Sequence, residues 1–220
     1  MTFKEKIDKS LLIIEGTFER YSKDEIAIAW TGGKDSTLVL HLVRNFFKGK
    51  VPVKVFFNDS GFEFDEVQDF IDKISKKWQI KLVRIKHPYE DRKNLENKSA
   101  FFAKRLKIKA IKKGVSEYGI RVFITGIRWD EHDARGYEKY LSKRRDHVRI
   151  NPILHFSEED VWNYIRKFKV PFVTLYKSGY RSLGEKPFTK PVERNAKERD
   201  GRNDGGSENV MLMLRQLGYW

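Results

Sequence analysis

The residues best suited to chemistry lie in one stretch, "IAIAWTGGKDSTLVL" at residues 26–40, where an apolar run ends in two glycines, a lysine and an aspartate. Glycine carries no Cβ, so the backbone N–H groups at Gly32 and Gly33 can approach a ligand closely. A helical pattern follows from Ser36, and the unpaired N–H groups at a helix N-terminus favour anions. Together these features indicate a phosphate-binding site.

Two common phosphate-binding loops do not fit this stretch. A Walker A loop needs glycine, four residues and then Gly-Lys-Ser/Thr, but Lys34 is followed by Asp35, and Ile28 stands five positions before Gly33. A dinucleotide loop with the pattern G-x-G-x-x-G also fails, because Lys34 takes the place of the second glycine. If the stretch binds no ligand, it is only the connection between a strand and a helix.

The stretch "TGGKDS" resembles the S-G-G-x-D-S loop of the PP-loop ATP pyrophosphatases, also called adenine nucleotide alpha hydrolases, with Thr31 in place of serine. Within that superfamily the chain resembles the phosphoadenylylsulfate (PAPS) reductase family over nearly its whole length. The segments that carry this resemblance are, in order, "TGGKDS", "FFNDSGFEFDEV", "TGIRWDEHDAR", "RINPILHFSEEDVWNYI" and "LYKSGYRSLG". The resemblance implies a doubly wound sheet that binds an adenine nucleotide, either ATP or PAPS or adenylylsulfate.

The resemblance also implies roles for individual residues. Lys34, Asp35 and Arg128 are expected to act in catalysis, and Asp35 is the expected protein ligand of a Mg²⁺ ion that accompanies ATP. The residues expected to contact the nucleotide are Thr31, Gly32, Gly33, Ser36, Asp59, Gly61, Gly126 and Arg135. The residues expected to contact the second substrate are Arg145, Tyr180, Arg181 and Ser182.

Several of these assignments have a simpler structural alternative. Asp35 could serve as the N-cap of the helix, and Asp59 could only stabilise a turn in "NDSG". Arg128 could form surface ion pairs with its acidic neighbours, although guanidinium groups also suit phosphate and sulfate because they bind two oxygens at once. The basic run at 143–145 could equally be a solvated loop. The five histidines show no metal-ligand spacing.

The sequence contains no cysteine. PAPS reductases attack the sulfate sulfur with a cysteine thiolate, and many relatives carry a Cys-x-x-Cys pair where this chain has Glu185 and Phe188. Reduction by that mechanism is therefore excluded for this sequence, and so is an iron–sulfur cluster held by cysteine. The chemistry that remains is attack of an acceptor on the α-phosphate of ATP with release of pyrophosphate, as in the sulfate adenylyltransferase small subunit or the eukaryotic-type FAD synthetase.

Two other functions remain open at this point. The chain could be a nucleotide- or PAPS-binding subunit that acts only with a partner subunit, or a PP-loop enzyme that modifies RNA. The formal charge of +14 attracts nucleotides, nucleic acid or acidic partners, but charged solvated faces are also common in heat-adapted proteins. Nucleic acid is therefore the weaker expectation for a ligand.

Alternating strand and helix patterns predict how these residues are positioned, in a three-layer, doubly wound α/β fold with a mostly parallel five-stranded sheet. The predicted strands are 26–30, 51–57, 80–85, 121–125 and 147–150, and the predicted helices are 3–18, 36–47, 64–77, 96–118, 158–168 and 207–217. Ser157 and Asp160 predict a capping box at the start of one helix.

Composition and periodicity also bound the domain organisation and the location. Residues 1–170 are predicted to form the PP-loop nucleotide-binding domain, and residues 171–220 a loop-rich region of the same domain that covers the substrate. Selection of the acceptor is expected within 171–206. No apolar stretch approaches the roughly 20 residues that span a bilayer, and the first helix is amphipathic and not a signal peptide. We therefore expect a cytoplasmic protein without membrane contact.

Overall fold

A computed structural model of the chain describes residues 1–87, 100–132, 135–193 and 195–202. The predicted helix at 207–217 and the beginning of the predicted helix at 96–118 lie outside these residues. Among the described residues, none of the helices combines the length and the apolar character that crossing a membrane requires.

A six-stranded sheet forms the centre of the fold. Its strands are β1 (Ile26–Ala29), β2 (Lys54–Asp59), β3 (Leu82–Lys86), β4 (Val122–Ile124), β5 (Leu141–Lys143) and β6 (Val148–Ile150). They lie in the order β3-β2-β1-β4-β6-β5, and every neighbouring pair is parallel except β5 with β6. The chain runs from β1 to β2 on one side and reaches β4 on the other, so the loop after β1 opens into the crevice where such sheets bind ligands.

The five predicted strands are confirmed, but the predicted count of five is wrong because the edge strand β5 was missed. Its sequence, "LSK", is three residues long and lies in a basic, polar segment, so it carries no alternating hydrophobic signal. The strand forms by antiparallel pairing with β6, with Leu141 opposite Ile150 and Lys143 opposite Val148. This pairing depends on the partner strand and not on the local sequence.

In the described residues five α-helices flank the sheet: α1 (Phe3–Arg20), α2 (Lys34–Phe46), α3 (Asp65–Trp78), α4 (Ala100–Tyr118) and α5 (Glu158–Lys167). The predicted start of α2 at Ser36 is two residues late, because Gly33 is the N-cap. Asp35 therefore lies in the first turn, and the alternative of an Asp35 N-cap is wrong. The capping box of Ser157 and Asp160 at the start of α5 is confirmed.

Alternate residues of each central strand point to opposite faces of the sheet, as the pleat requires. On one face a large core packs the strands against α1, α2, α3 and α5. On the other face a small cluster joins the strands to α4, with Ala27, Phe56, Ile85, Ala110 and Phe123 among its members. A cavity lies on the α4 side, at the carboxyl ends of the strands.

The described part of the C-terminal region, 171–193 and 195–202, contains no α-helix and no strand. Residues 174–178 and 186–188 form short 3₁₀ turns, and an isolated bridge joins Thr189 to Arg202. The loop-rich character that was predicted for this region is confirmed as far as residue 202. The domain boundary at 170 remains a prediction.

Candidate functional site

The turn between β1 and α2 adopts a conformation that its glycines permit. Gly32 has a φ of +76°, and a Cβ at this position would lie 3.0 Å from Cγ1 of Val67. The hydroxyls of Thr31 and Ser36 lie 3.1 Å apart, and the Thr31 N–H donates to Ser36 Oγ at 3.2 Å. The turn is therefore held by its own side chains, with the N-terminus of α2 behind it.

A second close approach joins this turn to the end of β4. An added Cβ at Gly126 would lie only 2.7 Å from the carbonyl carbon of Asp35 and 2.7 Å from the backbone nitrogen of Ser36. Such distances leave no room for a larger residue, so the backbone after β4 can touch the first turn of α2 only because residue 126 is glycine. This contact brings the "GIR" segment beside the glycine turn.

A cavity of about 300 Å³ opens between the glycine turn, the strand ends and α4. The predicted site residues that line it are Thr31, Gly33, Asp35, Ser36, Gly126, Arg135 and Ser182. Apolar side chains that line it include Phe56, Ile85, Ala110, Ile111 and Phe123, and basic ones include Lys107, Arg149, Arg199 and Arg202. The cavity therefore suits a ligand that combines a flat apolar part with anionic groups.

Lys34 and Arg128 lie beside the cavity in a buried cluster of four charges. The exposed fraction is 1% for Lys34 and 0% for Arg128, and neither side chain lines the cavity. Glu198 bridges them, with Oε1 2.5 Å from Lys34 Nζ and Oε2 2.5 Å from Arg128 Nη2. Asp35 completes the cluster, because its Oδ1 accepts from Arg128 Nε at 2.6 Å and its Oδ2 lies 3.3 Å from Lys34 Nζ.

The carboxylates determine the protonation of the two cations. Burial opposes the charged form of Lys34 and Arg128, but the negative charges of Asp35 and Glu198 outweigh it and raise the pKa of both above the ordinary value. Burial raises the pKa of Glu198, and the charge of Lys34 opposes that shift. Both cations therefore keep their protons at neutral pH.

A second ion-pair group lies on the wall of the cavity. Glu131 pairs with Arg199 at 2.5 Å and approaches Arg135 at 4.0 Å. Burial opposes ionisation of Glu131, but these two arginines outweigh it and lower its pKa to about 2. Glu131 is thus a fixed negative charge that orients two arginines at the ligand space.

The sequence interpretation missed several residues of the site, of which three are informative. Glu198 lies in "KERDGR", a charged run that has the appearance of a solvated loop, so only the tertiary contact reveals its role. Tyr176 lies in the recognised segment "LYKSGYRSLG", and its hydroxyl accepts a hydrogen bond from the Lys34 N–H at 2.9 Å. Burial raises the pKa of Tyr176 to about 12. Arg149 lines the cavity from the middle of β6, where its charge interrupts an otherwise apolar strand.

The structure does not bring Asp59 or Gly61 to the cavity lining. Asp59 Oδ1 accepts from the Gly61 N–H at 3.1 Å, and its Oδ2 lies 3.2 Å from Nη1 of Arg84. The neighbouring Asn58 lines the cavity instead. The expected contact of Asp59 and Gly61 with adenine or ribose stays a prediction, while their role in stabilising the turn is visible.

The residues predicted to contact a second substrate are divided between several positions. Arg145 is exposed and does not line the cavity. Tyr180 packs edge-on against Phe64 with ring centroids 5.3 Å apart. The Arg181 side chain pairs with Glu158, while its carbonyl accepts from Lys34 Nζ at 2.9 Å. The expected substrate contacts of these residues remain predictions.

Glu185 and Phe188, where the sequence resemblance leads one to expect a Cys-x-x-Cys pair, fix the loop-rich C-terminal region, here called the covering loop, to the domain. Glu185 is buried and pairs with Lys107 of α4 at 2.7 Å. Phe188 packs against Leu106 of the same helix. An ion pair and an apolar contact thus hold the covering loop on α4 at these two positions.

Asp35 fits the donor set that a magnesium ion needs when it arrives with a nucleotide. Magnesium uses one or two carboxylates together with phosphate oxygens and water. Asp35 lines the cavity, and 18% of its side chain is exposed. Among the described residues no group of three or more His, Asp or Glu side chains is arranged to hold a metal ion without such phosphates.

Known proteins share this sequence pattern and this fold. Residues 25–191 match the family described as phosphoadenosine phosphosulfate reductase domain. The chain is similar to the adenosine 5'-phosphosulfate reductase of Geobacillus kaustophilus (strain HTA426), with 26% identity over 207 residues that cover 88% of this chain and 84% of the relative. It is also similar to the adenosine 5'-phosphosulfate reductase of Bacillus cereus (strain B4264), with 24% identity over 204 residues, 88% of this chain and 85% of the relative.

Two solved structures illustrate the fold. The phosphoadenylyl-sulfate (PAPS) reductase from Candida auris, in a phosphate complex, has a TM-score of 0.68 and 18% identity, and the match covers 84% of this chain and 90% of that one. The FMN adenylyltransferase of Candida glabrata, in complex with ATP, has a TM-score of 0.69 and 20% identity, with coverage of 98% and 80%. These likenesses show the adenine nucleotide alpha hydrolase fold.

Proposed function

Because the chain belongs to the phosphoadenosine phosphosulfate reductase family, we propose that it binds an adenine nucleotide and transfers its adenylyl group with release of pyrophosphate. The observation that carries the proposal is the combination of the cavity beside the glycine turn with a sequence that contains no cysteine. The cavity offers an apolar wall for a base and a glycine turn for phosphates. The sequence offers no thiolate of its own to attack a sulfate sulfur.

In this proposal the reaction needs positioning and charge stabilisation but no covalent intermediate. An acceptor oxygen or nitrogen attacks the α-phosphorus of ATP, the new bond to the acceptor forms, and the bond to the departing pyrophosphate breaks. The Gly33 N–H group, together with Lys34 and Arg128 once the ligand reaches them, stabilises the negative charge that develops on these oxygens. A Mg²⁺ ion held by Asp35 and the nucleotide phosphates would neutralise further charge.

The comparisons support binding of an adenine nucleotide and are compatible with adenylyl transfer. The curated relatives are named reductases, whereas the solved neighbours include a reductase and an adenylyltransferase. At the positions of the cysteine pair of relatives, this chain has the Lys107–Glu185 ion pair and the packed Phe188 ring. These contacts are structural, and they favour a member of the family that has left thiol chemistry.

The test compares two reactions on the same purified protein. Calorimetric titration with ATP plus Mg²⁺, adenylylsulfate and PAPS gives the preferred nucleotide, and we expect ATP. Pyrophosphate release is then measured with sulfate and with FMN as acceptors, and sulfite release is measured from adenylylsulfate with dithiothreitol. Pyrophosphate release that depends on the acceptor supports adenylyl transfer. Sulfite release without pyrophosphate release contradicts it.

A nucleotide-binding subunit that needs a partner is the second candidate, and one observation favours it. Glu198 covers both Lys34 and Arg128, so the isolated chain shows neither cation to a ligand. Binding of ATP without pyrophosphate release for either acceptor would support this function.

A further inference from the structure

The buried charge cluster keeps its two cations away from the cavity, although the proposed function assigns them to the phosphates. Lys34 and Arg128 are the cations placed to stabilise phosphates, yet their exposed fractions are 1% and 0%. Nothing in the cavity can touch them while Glu198 stays between them. Either the two cations have only a structural role, or Glu198 leaves when the ligand binds.

We propose that Glu198 is an internal substitute for a phosphate group, which occupies a subsite between Lys34 and Arg128 until the phosphate of a nucleotide or pyrophosphate replaces it. This inference deepens the proposed function and rests on it for the identity of the natural ligand. The subsite itself is defined by the cluster and takes one oxyanion that presents an oxygen to each cation.

The geometry of Glu198 is that of a bridging oxyanion. Its two oxygens lie 2.5 Å from Lys34 Nζ and 2.5 Å from Arg128 Nη2, so each oxygen is held by one cation. A phosphate group presents oxygens with a similar spacing and binds lysine and arginine through the same charge-assisted hydrogen bonds. The subsite is adjacent to the glycine turn, because Lys34 is the first residue of α2 and Gly33 is its N-cap.

The charges of the cluster favour an anion at the position of Glu198. Lys34 and Arg128 face Asp35 and Glu198, and Arg128 Nη1 also lies 3.2 Å from Oδ2 of the half-exposed Asp130. If Glu198 left without replacement, Lys34 Nζ would lose its nearest carboxylate and Arg128 Nη2 would lose its partner in a desolvated site, which is costly. Displacement of Glu198 is therefore tied to the arrival of another anion.

Displacement of Glu198 also changes the wall of the cavity. Residues 195–202 contribute Arg199 and Arg202 to the lining, and the far end of this segment is fixed by the hydrogen bond from Lys190 N–H to the Gly201 carbonyl at 2.9 Å. Release of Glu198 would remove its hold on the turn at 197–200, where the Asp200 N–H donates to the Lys197 carbonyl at 3.2 Å, while the ion pair of Arg199 with Glu131 would remain. Ligand binding is thus coupled to loosening of this turn.

The test uses Glu198→Gln, which keeps the shape of the side chain and removes its charge. Inorganic pyrophosphate is the probe, because it binds without adenine and without turnover. We expect Glu198→Gln to bind pyrophosphate about tenfold more tightly than the parent protein, as when an internal competitor holds a site in about nine molecules of ten. The matched control is Glu193→Gln, a change at an exposed glutamate just before this segment, which should bind like the parent.

A second measurement reads the segment directly. Hydrogen–deuterium exchange at residues 197–202 of the parent protein should rise when pyrophosphate is added, because the displaced turn loses its internal hydrogen bonds. Unchanged or weaker pyrophosphate binding by Glu198→Gln, or a fall in exchange at this turn, overturns the inference. This failure is distinct from failure of the proposed function, since the latter is judged by ATP binding and pyrophosphate release in the parent.

Discussion

At the residue scale, the two glycines of the turn between β1 and α2 have different physical roles. Gly32 has a φ of +76°, in the left-handed region, and a Cβ added there would lie 3.0 Å from Val67 Cγ1. Gly33 has a φ of −64°, which any residue can adopt, and it serves as the N-cap of α2. The first glycine is required by the backbone, whereas the second is required only if a ligand approaches it.

Alanine substitutions separate these roles. Gly32→Ala should lower the free energy of unfolding by about 1–3 kcal/mol, because the new Cβ is strained at this φ and lies 3.0 Å from Val67 Cγ1. Gly33→Ala should lower it by less than about 1 kcal/mol, because its nearest neighbour is Thr31 Oγ1 at 3.3 Å, a contact that a hydroxyl can relieve by rotation. Urea unfolding of the two variants measures the difference.

The same pair of variants tests the binding surface. We expect Gly33→Ala to stay folded and to lose affinity for ATP, because its methyl group would stand at the wall of the cavity. Equal stability costs for the two variants would contradict the assigned backbone roles. Parental ATP affinity in Gly33→Ala would remove this residue from the site.

These residues also show what sequence can and cannot predict about the site. The pattern "TGGKDS" identified the turn, since glycines after a strand and before a helix are a local signal. It could not show that Lys34 is buried, because the covering Glu198 lies 164 residues further along the chain. Contacts between residues so far apart in the sequence become visible only in the folded structure.

At the element scale, helix α2 is joined to α5 by a hydrogen bond between His41 Nδ1 and the hydroxyl of Tyr164, 3.0 Å apart. The rings of Trp78 and Phe168 also face His41, and Arg44 lies on the same helix. Burial, with a contribution from the charge of Arg44, lowers the pKa of His41 from 6.5 to about 4. This junction supports α2 from behind, and α2 carries the site.

The lowered pKa predicts how stability depends on pH. Above pH 6.5 His41 is neutral in both states, so its contribution is fully present. Below pH 6.5 the unfolded chain takes up a proton that the folded protein resists down to about pH 4, so stability falls across this range. Between pH 7.5 and pH 4.5 we expect a loss of about 2–3 kcal/mol from this group.

The measurement compares the parent protein with His41→Gln, which keeps an amide that can bond Tyr164 and cannot titrate. Urea unfolding is followed at pH 7.5 and at pH 4.5 for both proteins. Other groups titrate in both, so the difference between the two pH-dependent losses isolates His41. Equal losses in the two proteins would show that His41 is not held neutral at this junction.

The elements themselves were largely predictable, for reasons that are local. Each of the five parallel strands is short and rich in β-branched or aromatic residues. The start of α5 is indicated by the Ser157 capping box. Strand β5 was not predictable, because "LSK" acquires its structure from β6. The start of α2 was placed two residues late because a glycine N-cap has no side-chain signal.

At the scale of the whole molecule, the question is whether the excess positive charge lies mainly on the exposed surface or in the cavity. The chain carries 45 lysines and arginines against 31 acidic residues. Several of the cations that line the cavity are paired with carboxylates, as Arg199 is with Glu131 and Lys107 with Glu185. Many of the other basic side chains are exposed, such as Lys143 and Arg145 near the edge strand β5. A general attraction for polyanions is therefore expected of the surface.

This distribution predicts weak and unselective binding of RNA. Filter binding with a transfer RNA at 50 mM and at 200 mM KCl should show affinity falling by about 10³ or more, because exposed lysines release counterions when they contact phosphates. A polyuridine of equal length should bind equally well, and ATP should not compete with either, since the cavity proposed for ATP is not lined by Lys143 or Arg145. Tight binding of transfer RNA that survives 200 mM KCl and is displaced by ATP would instead indicate an enzyme that modifies RNA.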